Sequence, residues 1–98
     1  MFVAVACDLG NSDHRSSVHN TLLQYGFKKL QENVYESASA SERALLRLKK
    51  ELDGLTDSYD SLRFYQYPVE GTLIVSSLKE KKWRKLVLTV QGKGAEHA

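Results

Sequence analysis

The order in which strand-like and helical segments alternate along the chain constrains its fold most. Short apolar or alternating runs predict strands at residues 2–8, 27–36, 62–67, 72–78 and 86–90. Helical patterns separate the first three of these strands, one beginning near Asn11 or Ser12 and the other spanning 40–53. Strands that alternate with helices in this way predict a layered domain, with the helices on one face of a sheet.

The first strand ends in the residue with the most chemical content. Residues 2–7 are apolar and Asp8 follows them, so Phe2, Ala4, Ala6 and Asp8 are expected to share one face of the strand. A carboxylate at the end of a buried strand is costly unless a metal, a cation or hydrogen-bond donors satisfy it. Asp8 is therefore either a ligand or a residue that accepts backbone N–H bonds where the strand gives way to the helix.

The second helix carries the clearest local pattern. Ser39 and Glu42 are spaced as in a capping box, and Gly54 marks the end of the helix. The apolar stripe of this helix consists of Leu45, Leu48, Leu52 and Leu55. A separate face of the same helix carries Arg43, Arg47 and Lys50.

The remaining segments complete the order β-α-β(β)-α-β-β-β. The strand at 27–36 is expected to turn near Glu32 and Asn33, with Leu30, Val34 and Tyr35 buried. Residues 57–61 are expected to form a turn, and residues 79–85 a connector, such as a helical turn, before the last strand.

This order predicts an α+β fold. The compact solution is a ferredoxin-like β-α-β-β-α-β sandwich with an additional C-terminal strand and two helices on one face of an antiparallel sheet. Residues 1–90 are expected to form a single domain, with residues 91–98 as a flexible tail. The face without helices is partly apolar, so a homodimer through that face is expected.

Composition restricts the class of protein. The lone cysteine, Cys7, excludes an internal disulfide and a cysteine-based zinc cluster, and the apolar runs are too short to span a membrane. The first residues lack a signal-peptide pattern, so a cytoplasmic protein without membrane association is expected. His14, His19 and His97 do not form a metal-ligand pattern, and phosphate-loop and serine-hydrolase motifs are missing from the sequence.

The formal net charge is only +2, but the basic residues are clustered. Such clusters suit phosphate contacts, although for any single cluster a solvated surface is the preferred explanation. Trp83 lies within one cluster, where its ring either packs against the core or stacks on a base. The clustered basic residues are Lys28, Lys29, Arg43, Arg47, Lys50 and the group at 79–85 that contains Lys81, Lys82 and Arg84.

Several segments, in order and spacing, resemble the CRISPR-associated protein 2 family. Its apolar first strand with a terminal aspartate is similar to residues 3–8, and its basic-apolar-Gln-x-x-Val-aromatic-Glu run is similar to residues 29–36. A basic second helix is similar to residues 47–52, and an Asp-Ser-x-Arg-x-Tyr strand is similar to residues 60–65. The resemblance covers residues 2 to about 67 well and the remainder loosely.

The resemblance implies two roles. One is an endonuclease, a homodimer in which two Asp8 side chains hold Mg²⁺, or another divalent cation such as Mn²⁺, and hydrolyse RNA or DNA phosphodiesters, with Arg15 or Arg63 neutralising charge. The other is a spacer-acquisition scaffold that bridges the CRISPR integrase, CRISPR-associated protein 1, and binds duplex DNA or single-stranded RNA through the basic clusters. A stand-alone endoribonuclease of the virulence-associated protein D type is the alternative.

Overall fold

Six strands and two helices make up residues 1–90, which are the residues that the computed structural model describes. The helices are α1, Ser12–Gln24, and α2, Glu42–Gly54. The strands are β1 Phe2–Asp8, β2 Lys28–Gln31, β3 Val34–Ser37, β4 Ser61–Tyr67, β5 Thr72–Lys79 and β6 Lys82–Thr89.

The strands form one antiparallel sheet in the order β2-β3-β1-β4-β5-β6. The first four positions are the split β-α-β arrangement of a ferredoxin-like sandwich, in which β1 lies between β3 and β4. The predicted α+β fold is confirmed, and so is the additional C-terminal strand. Strands β5 and β6 extend the sheet by two strands beyond β4, the last strand of the ferredoxin-like unit.

The core lies between the helices and one face of the sheet. Every second residue of β1 and β4 is buried there, as a half-covered sheet requires. Each large apolar side chain that is fully buried contributes about 1.5–3 kcal/mol. The fully buried apolar residues of this core are Val3, Val5, Leu22, Leu48, Leu52, Leu62, Phe64 and Leu78, together with Val18 from α1.

Helix α1 begins as the sequence predicts. The Asn11 side chain accepts a hydrogen bond of 2.7 Å from the backbone N–H of His14, which satisfies one free donor of the first turn. Val18 and Leu22 are its buried residues, one turn apart. Gly26 follows the helix with a φ of 84°, a conformation that glycine adopts without strain.

The predicted capping box of α2 is wrong. The cap is Ser41, whose hydroxyl accepts a 3.1 Å hydrogen bond from the N–H of Ala44, and the helix starts at Glu42 instead of residue 40. Ser39 and Ser41 are both plausible caps by residue type. Ser41 is selected because the Ala40 carbonyl accepts from the N-terminal amine and the Ala40 N–H donates to the Met1 carbonyl, which keeps residue 40 outside the helix.

The predicted turn near Glu32 and Asn33 is confirmed, since it joins β2 to β3. Asn33 adopts a φ of 67°, in the left-handed region that asparagine tolerates better than most residues. Tyr35 is buried as predicted and Val34 is half-buried, but Leu30 is 48% exposed. Leu30 was predicted to be buried on its apolar character alone, yet β2 is the edge strand and all four of its residues are exposed.

The predicted connector at residues 79–85 is also wrong. Strand β5 runs through Lys79 and β6 begins at Lys82, so only Glu80 and Lys81 form the turn. Both have positive φ, 55° and 60°, as in the tight hairpin turns that match the twist of two strands. At the start of β6, apolar residues alternate with charged ones, so the apolar pattern did not predict the first half of the strand.

The strained turn predicts a stabilising substitution. Glu80→Asn is expected to raise the free energy of unfolding by about 0.5–1 kcal/mol, because asparagine adopts positive φ at lower cost than glutamate. Urea denaturation measures the change. Glu70→Asn, in a turn where the residue has no positive φ, is the matched control and is expected to leave stability within about 0.5 kcal/mol. Equal effects of the two substitutions would contradict this explanation.

The described residues bear on two further expectations from the sequence. Neither of the 13-residue helices within residues 1–90 is long and apolar enough to cross a membrane. The flexible tail predicted at 91–98, with His97, lies outside the described residues.

Candidate nucleic-acid site

The open face of the sheet is the face without helices. Phe2, Ala4, Ala6 and Asp8 lie on it, as predicted, while the residues between them are buried under the helices. Residues directly opposite each other in an antiparallel pair project to the same side, so the pairing register defines the rest of this face.

Two rows of side chains cross the open face at the end of β1. The pairing register aligns Asp8 with Ser61, Ser61 with Lys79, and Lys79 with Lys82. The adjacent row runs from Ala6 through Arg63 and Ser77 to Arg84 in the same way. Residues that are up to 78 positions apart in the sequence therefore lie in one row, because four strands run side by side.

These rows form the floor of an open depression of about 870 Å³, which we call the Asp8 depression. Its exposed charged side chains are four cations and two carboxylates, so its net charge is positive. The cations are Arg63, Lys79, Lys82 and Arg84, and the exposed carboxylates are Asp8 and Glu80. A wide, shallow and positively charged surface suits phosphate groups and not a small buried ligand.

Asp8 is exposed in this depression. Among residues 1–90 its carboxylate accepts no hydrogen bond, so it does not serve as the acceptor at the entrance of α1. The same residues contain no group of three histidine, cysteine, aspartate or glutamate side chains that could hold a metal ion. Within residues 1–90, one protomer thus brings fewer than three such ligands together at Asp8, a donor set that does not fit a divalent cation without a second chain.

The acceptor at the entrance of α1 is Asp60, which the sequence analysis missed. Its carboxylate is 1% exposed and accepts from the Gly10 N–H at 2.6 Å, from the Asp57 N–H at 2.8 Å and from His14 Nδ1 at 2.6 Å. Because the carboxylate only accepts, His14 donates through Nδ1. Asp60 therefore ties the loop after β1 to the loop before β4.

The ionisation of Asp60 follows from these contacts. Burial opposes ionisation of the carboxyl, but the hydrogen bonds from the Asp57 and Gly10 N–H groups and the contact with His14 outweigh burial and lower the pKa of Asp60. Asp60 stays charged at neutral pH, and its carboxylate is occupied by the three hydrogen bonds from Gly10, Asp57 and His14. It is a positioning residue for the wall of the Asp8 depression, since its side chain does not reach the solvent.

Tyr59 contacts the loop after β1 from the loop before β4, on the solvent side of Asp60. Its hydroxyl accepts a 2.9 Å hydrogen bond from Asn11 Nδ2, and its ring stacks on His14 with centroids 5.7 Å apart and planes 6° apart. The ring also covers Gly10 so closely that a Cβ there would overlap it. The sequence shows Gly10 and Tyr59 only as ordinary loop residues, and no pattern indicates that they touch.

Three of the ten basic residues predicted to bind nucleic acid meet in the Asp8 depression, namely Arg63, Lys82 and Arg84. Lys79, from the predicted basic cluster at 79–85, lies in the Asp8 depression as well. Lys81 lies close in the sequence, but its ammonium is held by Asp53 Oδ1 at 2.6 Å and by the carbonyls of Asp53 and Thr56. It anchors the β5–β6 turn to the end of α2 and so has little freedom to reach a ligand.

The other predicted basic residues lie elsewhere. Arg15 and Lys29 line a second, smaller depression between α1 and the β2–β3 turn, where Lys29 pairs with Glu32 at 2.9 Å. Lys28 is exposed on edge strand β2. Arg43, Arg47 and Lys50 are exposed on α2, on the opposite side of the molecule from the open face.

The end of the open face away from Asp8 is apolar. The register pairs Phe2 with Tyr67 and Leu73 with Leu88, and it aligns Ala4, Tyr65, Val75 and Leu86 in the next row. Phe2 is 36% exposed, and Tyr67, Leu86 and Leu88 are about half exposed. Strand β6 is also an unpaired edge of eight residues, which natural proteins normally cover.

The comparison with protein families agrees with this architecture. Residues 1–86 match the family described as CRISPR associated protein Cas2. No curated protein is similar enough to the chain to count as a match. The matched region runs from β1 into β6 and includes Asp8, Asp60 and every cation of the Asp8 depression. By its sequence over most of its length, the chain belongs to the CRISPR-associated protein Cas2 family.

Proposed function

We propose that this protein is a nucleic-acid-binding homodimer that scaffolds the CRISPR integrase during spacer acquisition. The observation that carries the proposal is the Asp8 depression, where cations from β4, β5 and β6 lie on one open surface. Membership of the family supports a CRISPR-associated function in general. The scaffold role, the integrase as a partner and duplex DNA as the ligand are parts of the proposal.

The binding mode follows from the shape and charge of the surface. Long basic side chains on an open sheet contact phosphates, and the depression has no narrow slot in which base edges could be read. Binding is therefore expected to tolerate any sequence and to weaken as salt rises. Single-stranded RNA would satisfy the same cations, so both ligands belong in the test.

A homodimer accounts for the apolar end of the open face. The exposed row that contains Phe2 and Leu88, together with the unpaired edge of β6, would be covered by a second copy of the chain. Two copies of the depression in one assembly would double the number of phosphate contacts. The measurement is the mass of the particle in solution, which is expected to be that of a dimer.

Hydrolysis is a separate part of the proposal. The family resemblance implies Mg²⁺ or Mn²⁺ as the cofactor, yet the described part of one protomer groups fewer than three metal-binding side chains at Asp8 and lines the same depression with four cations. Cleavage would therefore need a second Asp8 across the dimer axis to hold the metal. Asp8 is exposed and has no ion-pair partner among residues 1–90, which is also the observation that favours the alternative, a stand-alone endoribonuclease of the virulence-associated protein D type.

Asp8→Ala separates binding from cleavage. The variant is expected to keep its affinity for duplex DNA or to gain about twofold, because the substitution removes a negative charge from a phosphate-binding surface. Gel-shift titrations at low salt measure the affinity. Asp13→Ala, which removes an exposed acid on α1 outside the depression, is the matched control and is expected to change little.

The same two proteins are then tested for cleavage of labelled RNA and duplex DNA, with magnesium and with a chelator. Magnesium-dependent cleavage that Asp8→Ala abolishes would support a metallonuclease, and cleavage of RNA without any integrase would favour the toxin-like alternative. Cleavage that persists in the chelator contradicts a metal held by Asp8. A folded Asp8→Ala variant that no longer binds DNA contradicts the scaffold proposal as stated here.

A further inference from the structure

The helix layer of the sandwich is narrower than the sheet. Packed helices are about 8–10 Å apart and neighbouring strands about 4.8 Å apart, so two helices cover about four strands. The sheet has six strands, and β5 and β6 extend beyond β4 on the side of α2. The uncovered width over β5 and β6 is that of one further helix.

This uncovered region is a groove between α2 and the helix-side face of β5 and β6, which we call the α2 groove. Its volume is about 400 Å³. Leu45 and Leu46 form its wall on α2, and Ile74 and Trp83 contribute the apolar part of its floor. Leu46 is 69% exposed at the rim, which is unusual for a leucine beside an apolar groove unless something covers it.

The α2 groove also contains a fixed positive charge, the ammonium of Lys49. Its half-buried ammonium donates to Gln66 Oε1 at 2.9 Å and to Ser76 Oγ at 3.1 Å, and both acceptors are buried. It also lies over the Phe64 and Trp83 rings, 5.4 Å and 5.9 Å from their centroids. Two neutral acceptors and two ring faces fix the position of a positive charge without neutralising it.

No carboxylate within residues 1–90 forms an ion pair with Lys49. Burial, and then the charge of the neighbouring Lys85, lower the pKa of the Lys49 ammonium. A partly buried cation beside a second cation is costly, and an anion in the groove would offset that cost. The ammonium has three protons, so one remains for such a partner.

We propose that the α2 groove receives an amphipathic helix of a partner protein and that an acidic side chain of this helix pairs with Lys49. Apolar residues at helical spacing fill the space between Leu46 and Trp83, and the carboxylate meets Lys49 and Lys85. The inference does not rest on the proposed nucleic-acid function, since the groove and the Asp8 depression are on opposite faces of the sheet.

A nucleic acid fits the α2 groove less well. Its walls are mainly apolar, and Glu42 lies at one end, where a phosphate chain would meet a negative charge. A polyanion also needs a series of exposed cations, whereas the groove offers the half-buried ammonium of Lys49, its neighbour Lys85, and Arg84, which it shares with the Asp8 depression. An isolated carboxylate on an apolar helix matches that arrangement.

Trp83 is the only tryptophan of the chain and lies in the groove, so its fluorescence reports occupancy directly. The probe is a synthetic helical peptide of about 15 residues, with leucine at i, i+3, i+7 and i+10 and one glutamate at i+4. A second peptide carries glutamine in place of that glutamate. The glutamate peptide is expected to shift the Trp83 emission to shorter wavelength in a saturable titration and to bind about tenfold more tightly than the glutamine peptide.

Three variants of the full-length chain complete the test. Lys49→Gln is expected to reduce the tenfold preference for glutamate to about twofold or less, because the glutamate then meets only the exposed Lys85. Leu46→Gln is expected to weaken both peptides without altering DNA binding, while Leu23→Gln, an exposed leucine of α1 outside the groove, is the matched control. Equal binding of the two peptides to the unmodified chain, or no saturable change of the emission, overturns the proposal. Competition for Trp83 by an oligothymidylate would reassign the groove to nucleic acid and overturn it as well.

Discussion

Replacing Asp60 with alanine is expected to lower the free energy of unfolding by about 3–5 kcal/mol, the largest effect of any single substitution outside the apolar core. The substitution leaves the N–H groups of Gly10 and Asp57 and the Nδ1–H of His14 without their acceptor. Buried donors without a partner keep the full cost of their desolvation. Denaturation in urea, followed by circular dichroism, measures the change.

Asp57→Ala is the matched control. Asp57 is exposed, its backbone N–H still donates to Asp60 after the substitution, and its carboxylate is 3.9 Å from His14 Nε2. It is expected to cost less than about 1 kcal/mol. If Asp60→Ala costs no more than Asp57→Ala, the tie between the two loops is not the source of stability.

The lowered pKa of Asp60 gives this prediction a pH dependence with a definite sign. The folded-state pKa of the Asp60 carboxyl is below its unfolded value of about 3.8. Such a carboxyl stabilises the fold fully at pH values above its unfolded pKa, and this contribution is lost as the pH falls through the folded-state pKa. The gap between the unmodified protein and Asp60→Ala is therefore expected to be constant near neutral pH and to shrink below about pH 4. A gap that widened in acid would contradict the charge-assisted role of Asp60.

A triple variant with Arg63→Gln, Lys82→Gln and Arg84→Gln is expected to weaken binding of duplex DNA about 100-fold at about 0.15 M salt. Each phosphate contact contributes about 0.9 to the slope of log affinity against log salt, so three contacts account for a slope of about 2.7. The substitutions leave Lys79 as the one cation of the Asp8 depression, opposite Asp8 and Glu80, which reverses the sign of its net charge. Titrations at several salt concentrations give both the affinity and the slope.

The control is a second triple variant with Arg43→Gln, Arg47→Gln and Lys50→Gln, which removes the same charge from the exposed side of α2. The sequence predicted all six residues as nucleic-acid contacts, but only the first three share the open depression. The control is expected to lose less than about tenfold in affinity. Similar losses in the two triple variants would mean that binding follows overall charge, and the Asp8 depression would lose its assignment as the binding surface.

The elements predicted correctly are those specified by local pattern. The burial of every second residue in β1 follows from its apolar run, and the leucine spacing of α2 places Leu45, Leu48 and Leu52 against the core. The predictions that failed depended on the position of a strand in the sheet. Leu30 is apolar but lies on edge strand β2, and the start of β6 carries charged residues because nothing covers it.

The residues of the candidate site also fall into those that a local pattern predicts and those that depend on tertiary pairing. Asp8 could be singled out because its position at the end of an apolar strand is a local property of the sequence. Asp60 begins the Asp-Ser-x-Arg-x-Tyr match, but its role could not be assigned, since its donors include Gly10 and His14, about 50 residues away. The selection of Arg63, Lys82 and Arg84 from ten basic residues likewise required the pairing register of β4, β5 and β6.

The sequence by itself determined the type and order of the strands and helices, the helix faces that are buried, and membership of the CRISPR-associated protein Cas2 family. These features depend on periodicity and on residues near one another in the chain, because local sterics and hydrophobic burial act on such residues directly. The tertiary structure alone decided that Asp60 ties two loops, that four cations share one depression with Asp8, and that Lys49 has no carboxylate partner among residues 1–90 in the groove beside α2. Those features arise where distant segments pair across the sheet, and pairing register is not encoded in any one segment.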